Sequence, residues 1–298
     1  MPARRLFGLD AYSPAEIAER VETQGVQRAN LPVTSKLMLG VVGGGFIGLG
    51  AMANTVITAD PDLNAGTARI VGGVAFAMGY LVAITAGAAV FTTNILMVMT
   101  WAARKITTVT LLRNWGVVLL ANVMGAGGLV LLLMLADQPG MYDSAVGERA
   151  FLIGAGKTQE TFVVAFSKGM LGNLLICIGV WVAMAGRSTT DKMLGPLLPI
   201  AAVPIVGFEH SVGNMFYLPM AGAILLSDSD VTQRLATSAT FSGWGAVRNM
   251  IAVIAGNIVG GSVMVGLIYH LVYRRTIVSA AAASPPAADP HPPDRGVH

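Results

Sequence analysis

Six times along this chain, apolar residues continue for about the 20 positions that a helix needs to cross the hydrocarbon of a bilayer. The stretches lie at about 36–58, 70–106, 114–136, 162–186, 193–226 and 247–273. Of 298 residues, 54% are hydrophobic and 12% charged, with a mean hydropathy of +0.66, so a soluble core cannot account for them. The expectation is an all-α, multi-pass membrane protein. Its first residues lack the short apolar core and small-residue cleavage site of a secretory signal, so the N-terminus is expected to be retained.

The second and fifth stretches are too long for single straight crossings, and each is interrupted by polar residues. The interruptions read Phe91-Thr92-Thr93-Asn94 and Phe208-Glu209-His210-Ser211. Backbone that unwinds in hydrocarbon leaves N–H and C=O groups that cost several kcal/mol each unless protein or cavity water satisfies them. Paired breaks therefore imply a pore, and the half-helix N-termini that face it favour an anion.

Internal similarity points the same way. Asn122-Val123-Met124-Gly125-Ala126-Gly127 resembles Asn257-Ile258-Val259-Gly260-Gly261-Ser262, and Phe91 pairs with Phe208. Two three-span halves result, and an odd span count inverts one against the other, the plan in which broken helices meet at the midplane. Asn122 and Asn257 themselves fit either capping and close packing beside glycine or a place in the pore.

Lysines and arginines concentrate in the N-terminal segment (Arg4, Arg5, Arg20, Arg28, Lys36), after span two (Arg104, Lys105, Arg113), after span four (Arg187, Lys192) and in the tail (Arg274, Arg275, Arg295). They outnumber Arg69, Arg149, Lys157, Arg234 and Arg248 on the other side, so both termini are expected in the cytoplasm of a cell (plasma) membrane protein. Residues 1–35 should hold an amphipathic helix, opened by the capping box Ser13-Pro14-Ala15-Glu16 and lying on the membrane surface or a neighbouring subunit. Residues 36–275 are expected to form a six-span transporter domain. The Ala- and Pro-rich remainder, 276–298 with His291 and His298, is expected to be disordered.

Several function classes have no support. Glu209-His210 is not a zinc-enzyme helix motif, no Gly-rich phosphate loop follows a strand, and no nucleophile–His–acid set stands out. Cys177 is the only cysteine and the 16 methionines lack soft-ligand spacing, so neither metal nor cofactor is expected. No basic segment interleaves with aromatics, which leaves nucleic acid without a site. A neutral-solute channel of the ammonium or aquaporin type shares pore histidines and inverted repeats. It is disfavoured by Lys157, which belongs to the set expected outside and should repel ammonium.

The run Phe208-Glu209-His210-Ser211-Val212-Gly213-Asn214-Met215, with Gly172-Asn173-Leu174, Val180-Trp181 and Gly256-Asn257-Ile258-Val259-Gly260-Gly261, resembles the formate/nitrite transporter family. The similarity extends from Ser13 through Tyr273. It implies a homopentamer of aquaporin-like six-span protomers, each with its own pore for small anions: formate first, nitrite or hydrosulfide next, lactate or acetate in some members. It also makes His210 the central pore histidine, faced by Thr92 from the other repeat, with Lys157 at the outer mouth. An uncompensated imidazolium in a narrow apolar pore is costly, so the ring is expected to be neutral when empty. Asn173 and Glu209 are placed to orient or polarise it, and Asn214 completes the motif. By position, Phe76, Ile176 and Val203 form the outer constriction and Tyr80, Val90 and Phe91 the inner one.

This chain departs from the family at Ala89, where an acidic residue is usual, which puts anchoring and gating by that loop in question. Tyr80 and Val203 also stand where members vary, and Lys168 inside span four calls for a partner, such as one at a subunit interface.

Overall fold

The computed structural model describes residues 11–227 and 240–275. The tail at 276–298 lies outside the described residues, as do Arg4, Arg5 and Arg234.

Helix α1, Pro14–Asn30, starts where the capping box places it: Glu16 N–H donates to Ser13 Oγ at 3.4 Å and Ser13 N–H to Glu16 Oε2 at 2.9 Å. It lies on its own chain. Glu22 is buried beneath it and takes ion pairs from Lys105 at 2.8 Å and Arg274 at 3.1 Å. The apolar face, including Ile17, Ala18 and Val21, packs in one cluster with Leu96, Val180 and Trp181.

The spans are α2 (Val33–Thr58), α3 (Ala65–Thr85) with the shorter α4 (Phe91–Ala102), then α5 (Thr108–Leu135). A helix absent from the sequence expectations, α6 (Ala145–Gln159), precedes α7 (Phe162–Ala185). Next come α8 (Thr189–Val206) and α9 (Ser211–Leu226), bent by 44° at their break, and finally α10 (Gly243–Arg274). With that bent pair counted as one span, six are long and apolar enough to cross a membrane, by length and composition. Polar N-caps fix the starts: Asn64, Thr107, Thr161, Ser188 and Ser242 each accept a backbone N–H of the first turn. Three prolines, Pro196, Pro199 and Pro204, lie inside α8, and Gly207 ends it with φ +84°.

The two halves match at the level of individual hydrogen bonds. Asn122 on α5 accepts from Phe91 N–H at 2.8 Å and donates to the carbonyls of Gly40 (2.7 Å) and Ala89 (2.9 Å). Asn257 on α10 accepts from Ser211 N–H at 2.9 Å and donates to the carbonyls of Gly169 (2.8 Å) and Glu209 (3.4 Å). Each amide thus supplies the partners that an unwound span lacks. Of the two roles open to these asparagines, the structure shows them clamping the breaks.

This equivalence corrects the sequence pairing. Phe91 corresponds to Ser211, Val90 to His210 and Ala89 to Glu209, so Phe208 is not the partner of Phe91. The first break also falls earlier than expected: the chain leaves helix after Thr85, turns at Gly87 with φ +75°, and Phe91–Asn94 is already the first turn of α4. A second set of bonds extends the match. Asn94 donates to Asn114 (2.9 Å), which donates to Arg28 C=O (3.2 Å); Asn214 donates to Asn249 (2.8 Å), which donates to Lys157 C=O (3.1 Å). Helix α6 is therefore the repeat mate of α1, and each repeat is a short helix followed by three spans.

Candidate functional site

His210 is the last extended residue of the second break, with φ −134° and ψ 119°, and it caps α9 with its own ring: Gly213 N–H donates to Nδ1 at 3.0 Å. Because Nδ1 accepts, the neutral ring carries its proton on Nε2. That nitrogen meets Thr92 Oγ1 at 2.8 Å and the Tyr80 hydroxyl, and Tyr80 and Thr92 lie 2.8 Å apart. Thr92 stands in the first turn of α4, so the N-terminal ends of both half-helices converge on this buried triad.

The expected support of His210 by Asn173 and Glu209 is not what the structure shows. In extended backbone, neighbouring side chains point to opposite faces. Glu209 accordingly turns away from the ring, paired with Lys157 Nζ at 2.6 Å and accepting from Asn214 at 2.5 Å. Asn173 donates to the carbonyls of Asn257 (2.7 Å) and Thr92 (3.5 Å), so it reaches the triad only through the backbone of Thr92. Cys177 is buried, and its Sγ lies 3.7 Å from the same carbonyl.

Two chambers flank the triad. One, of about 610 Å³ and called the outer chamber after the expected orientation, is lined by Phe76, Val203 and His210 together with Lys157, Glu209, Asn214 and Phe208. The inner one, about 100 Å³, is bounded by Tyr80, Val90, Ala88 and the α1 residues Arg20, Gln24 and Arg28. Of the residues expected at the constrictions, Phe76 and Val203 line the first chamber and Tyr80 and Val90 the second. Ile176 and Phe91 line neither chamber: Ile176 is fully buried, and Phe91 packs edge-on against Trp115 with ring centroids 6.5 Å apart.

The basic residues of the two chambers come from different sets of loops. The basic residues of the outer chamber, Arg69, Arg149 and Lys157, all belong to the set expected outside. Those of the inner chamber, Arg20, Arg28 and Lys192, all belong to the cytoplasmic set. Lys157 is no bare cation, however, since Glu209 neutralises it across a largely buried pair. Lys168 pairs with Glu160 of its own chain, which removes the need for a partner subunit.

Sequence reasoning missed Asn249 and Tyr217. Asn249 ties Asn214 to the C-terminal turn of α6, and Tyr217 lies under Lys157, whose Nζ is 5.4 Å from the ring centroid. Asn249 had a signal: it repeats Asn114, as Asn257 repeats Asn122.

A membrane protein with two broken spans meeting at a histidine, between two cation-lined chambers, is by fold and site a pore-type transport protein. The chain belongs to the formate/nitrite transporter family, whose profile it matches over residues 15–271. It is 33% identical over 273 residues to the formate channel FocA of Escherichia coli K12, covering 89% of this chain and 96% of that one. It is 31% identical to the uncharacterized transporter YrhG of Bacillus subtilis, over 88% and 94% of the two chains. Among solved structures, a pentameric formate channel with formate bound superposes with a TM-score of 0.74 at 31% identity, covering 81% of this chain and 97% of that one. An ion channel of the same family, 23% identical and also at 0.74, covers 85% and 97% and shares the fold.

Proposed function

We propose that this chain conducts small monovalent anions, formate first and nitrite or hydrosulfide next, through a path in each protomer of a homopentamer. It catalyses no covalent reaction on them, and both termini face the cytoplasm. The path runs from the outer chamber past Phe76 and Val203, over His210, Thr92 and Tyr80, and into the inner chamber. The observation that carries the reading is the His210–Thr92–Tyr80 triad, set where two half-helix N-termini converge between two chambers lined with basic residues.

The physics suits a small anion. An ion stripped of water at the constriction meets one N–H donor and two hydroxyls, with the positive ends of α4 and α9 behind them. Hydrogen bonds to an ionised acceptor are about twice as strong as neutral ones, so these donors replace part of the lost hydration. A ring that takes a second proton must give up its bond from Gly213 N–H. Passage of formate as formic acid then means transfer of the Nε2 proton of the imidazolium to the carboxylate, and the proton left on Nδ1 must return to Nε2 before the cap on α9 re-forms.

Proteoliposomes challenged with formate, nitrite, hydrosulfide and ammonium at two pH values test the reading. Flux of the anions is expected, and flux of ammonium alone would overturn it in favour of the neutral-solute alternative. His210→Asn is expected to keep anion conductance and lose uptake driven by an inward proton gradient. Unchanged proton-driven uptake would remove His210 from the coupling.

A further inference from the structure

The outer chamber holds two more cations than the Lys157–Glu209 pair accounts for. Arg69 projects from α3 to the C-terminal end of α8, where a Cβ built on Gly207 would lie 3.0 Å from its Nη2. Arg149 lines the same chamber from α6, and its Nε donates to Thr58 Oγ1 at 3.1 Å. Among the described residues neither arginine forms an ion pair, and Arg69 donates no hydrogen bond.

These two charges oppose each other. Helix α6 is too short and too polar to span, and burial holds Arg149 below the ordinary guanidinium value; Tyr217 works against that shift and Arg69 adds to it. A guanidinium keeps its charge in proteins at physiological pH. The other carboxylate of the chamber, on Asp60, accepts from Asp62 N–H at 2.9 Å. Two like charges converging on a concave space, without counter-ions of their own, form a site that a mobile anion completes.

We propose that Arg69 and Arg149 form a capture site for a planar oxyanion, a carboxylate or nitrite, occupied before the ion reaches Lys157 and His210. The proposal rests on the anion-conducting reading and adds the chemistry of selection to it. A guanidinium fork matches two oxygens on one central atom, whereas hydrosulfide offers a single centre and gains only from the field. The repeat supplies a parallel: Arg20 occupies on α1 the place of Arg149 on α6, as Arg28 does that of Lys157, and both line the inner chamber.

The test compares full-length wild type with Arg69→Gln, Arg149→Gln and the double variant in proteoliposomes at low ionic strength. The half-saturating formate concentration should rise roughly tenfold in the double variant, with the rate at saturation less affected and hydrosulfide shifted far less. The double lysine variant, R69K with R149K, keeps the charge and loses the fork, so it should restore hydrosulfide and leave formate impaired. Unchanged half-saturation for formate, or equal shifts for formate and hydrosulfide, would overturn the site. Titration calorimetry with nitrite on the solubilised protein separates this from the transport reading. If wild type binds nitrite, the double glutamine variant does not and neither moves it, then the site stands and the transport reading falls. Matching elution and melting profiles of the lysine variant exclude misfolding as the cause.

Discussion

Tyr80 places a hydroxyl within reach of both His210 Nε2 and Thr92 Oγ1, in a passage whose other side chains include Phe76 and Val203. A net hydrogen bond is worth about 1 kcal/mol, and more to an ionised partner. Tyr80→Phe should therefore slow formate flux about tenfold while assembly and melting stay as in wild type, read by stopped-flow light scattering on vesicles. Faster flux would make the hydroxyl a plug to be displaced, not a rung on the path. The sequence placed Tyr80 at a constriction but gave no hint that it bonds the histidine, because the contact joins residues 130 apart. Glu209 failed for a related reason: adjacency to His210 in sequence becomes opposition in space once the break is extended.

At the scale of elements, breaks and close contacts depend on residues remote from them. A Cβ at Gly125 would lie 1.9 Å from Val41 C=O, and one at Gly260 would lie 2.0 Å from Met170 C=O, whereas one at Gly127 would meet no neighbouring helix or side chain within 4 Å. Gly125→Ala and Gly260→Ala should each force a helix pair apart and cost about 3 kcal/mol or more. Gly127→Ala should be neutral or stabilising by up to about 1 kcal/mol, since alanine favours helix. Denaturant titration in detergent measures both, and equal effects at Gly125 and Gly127 would refute the packing argument. Asn122→Ala and Asn257→Ala should likewise each cost about 3 kcal/mol, because three backbone groups at each clamp lose their partner. Spans were legible from hydropathy because lipid leaves few alternatives. The position of the first break was not, since Thr92 and Thr93 look like the irregular segment while Gly87 and the distant Asn122 set it. Helix α6 was missed because Glu148, Arg149 and Lys157 make it read as a loop; the repeat that yields α1 contains the signal that it exists.

For the whole molecule, the division of basic residues between the two chambers gives the orientation a direct test. Cys177 is buried, so a membrane-impermeant thiol reagent would report introduced cysteines without background. Glu19→Cys on α1 should label only from the cytoplasmic face and Asp62→Cys only from outside, both being exposed positions. The reverse pattern would invert the assignment of chambers. Leu131, Leu132 and Leu135 on α5 are 60%, 64% and 75% exposed on the single chain, an apolar surface that lipid or neighbouring protomers must cover. The proposed route between the chambers uses residues of one chain only, so in the proposed homopentamer each protomer should act as an independent pore. Assemblies that mix wild-type and His210→Asn subunits should then lose proton-driven uptake in proportion to the mutant fraction. A pore shared at the symmetry axis would fail far more steeply, because one altered subunit would impair all five. Uptake measured across a series of subunit ratios, with composition read by native mass spectrometry, distinguishes the two: a straight line keeps the pore inside the protomer, and a steep curve places it between them.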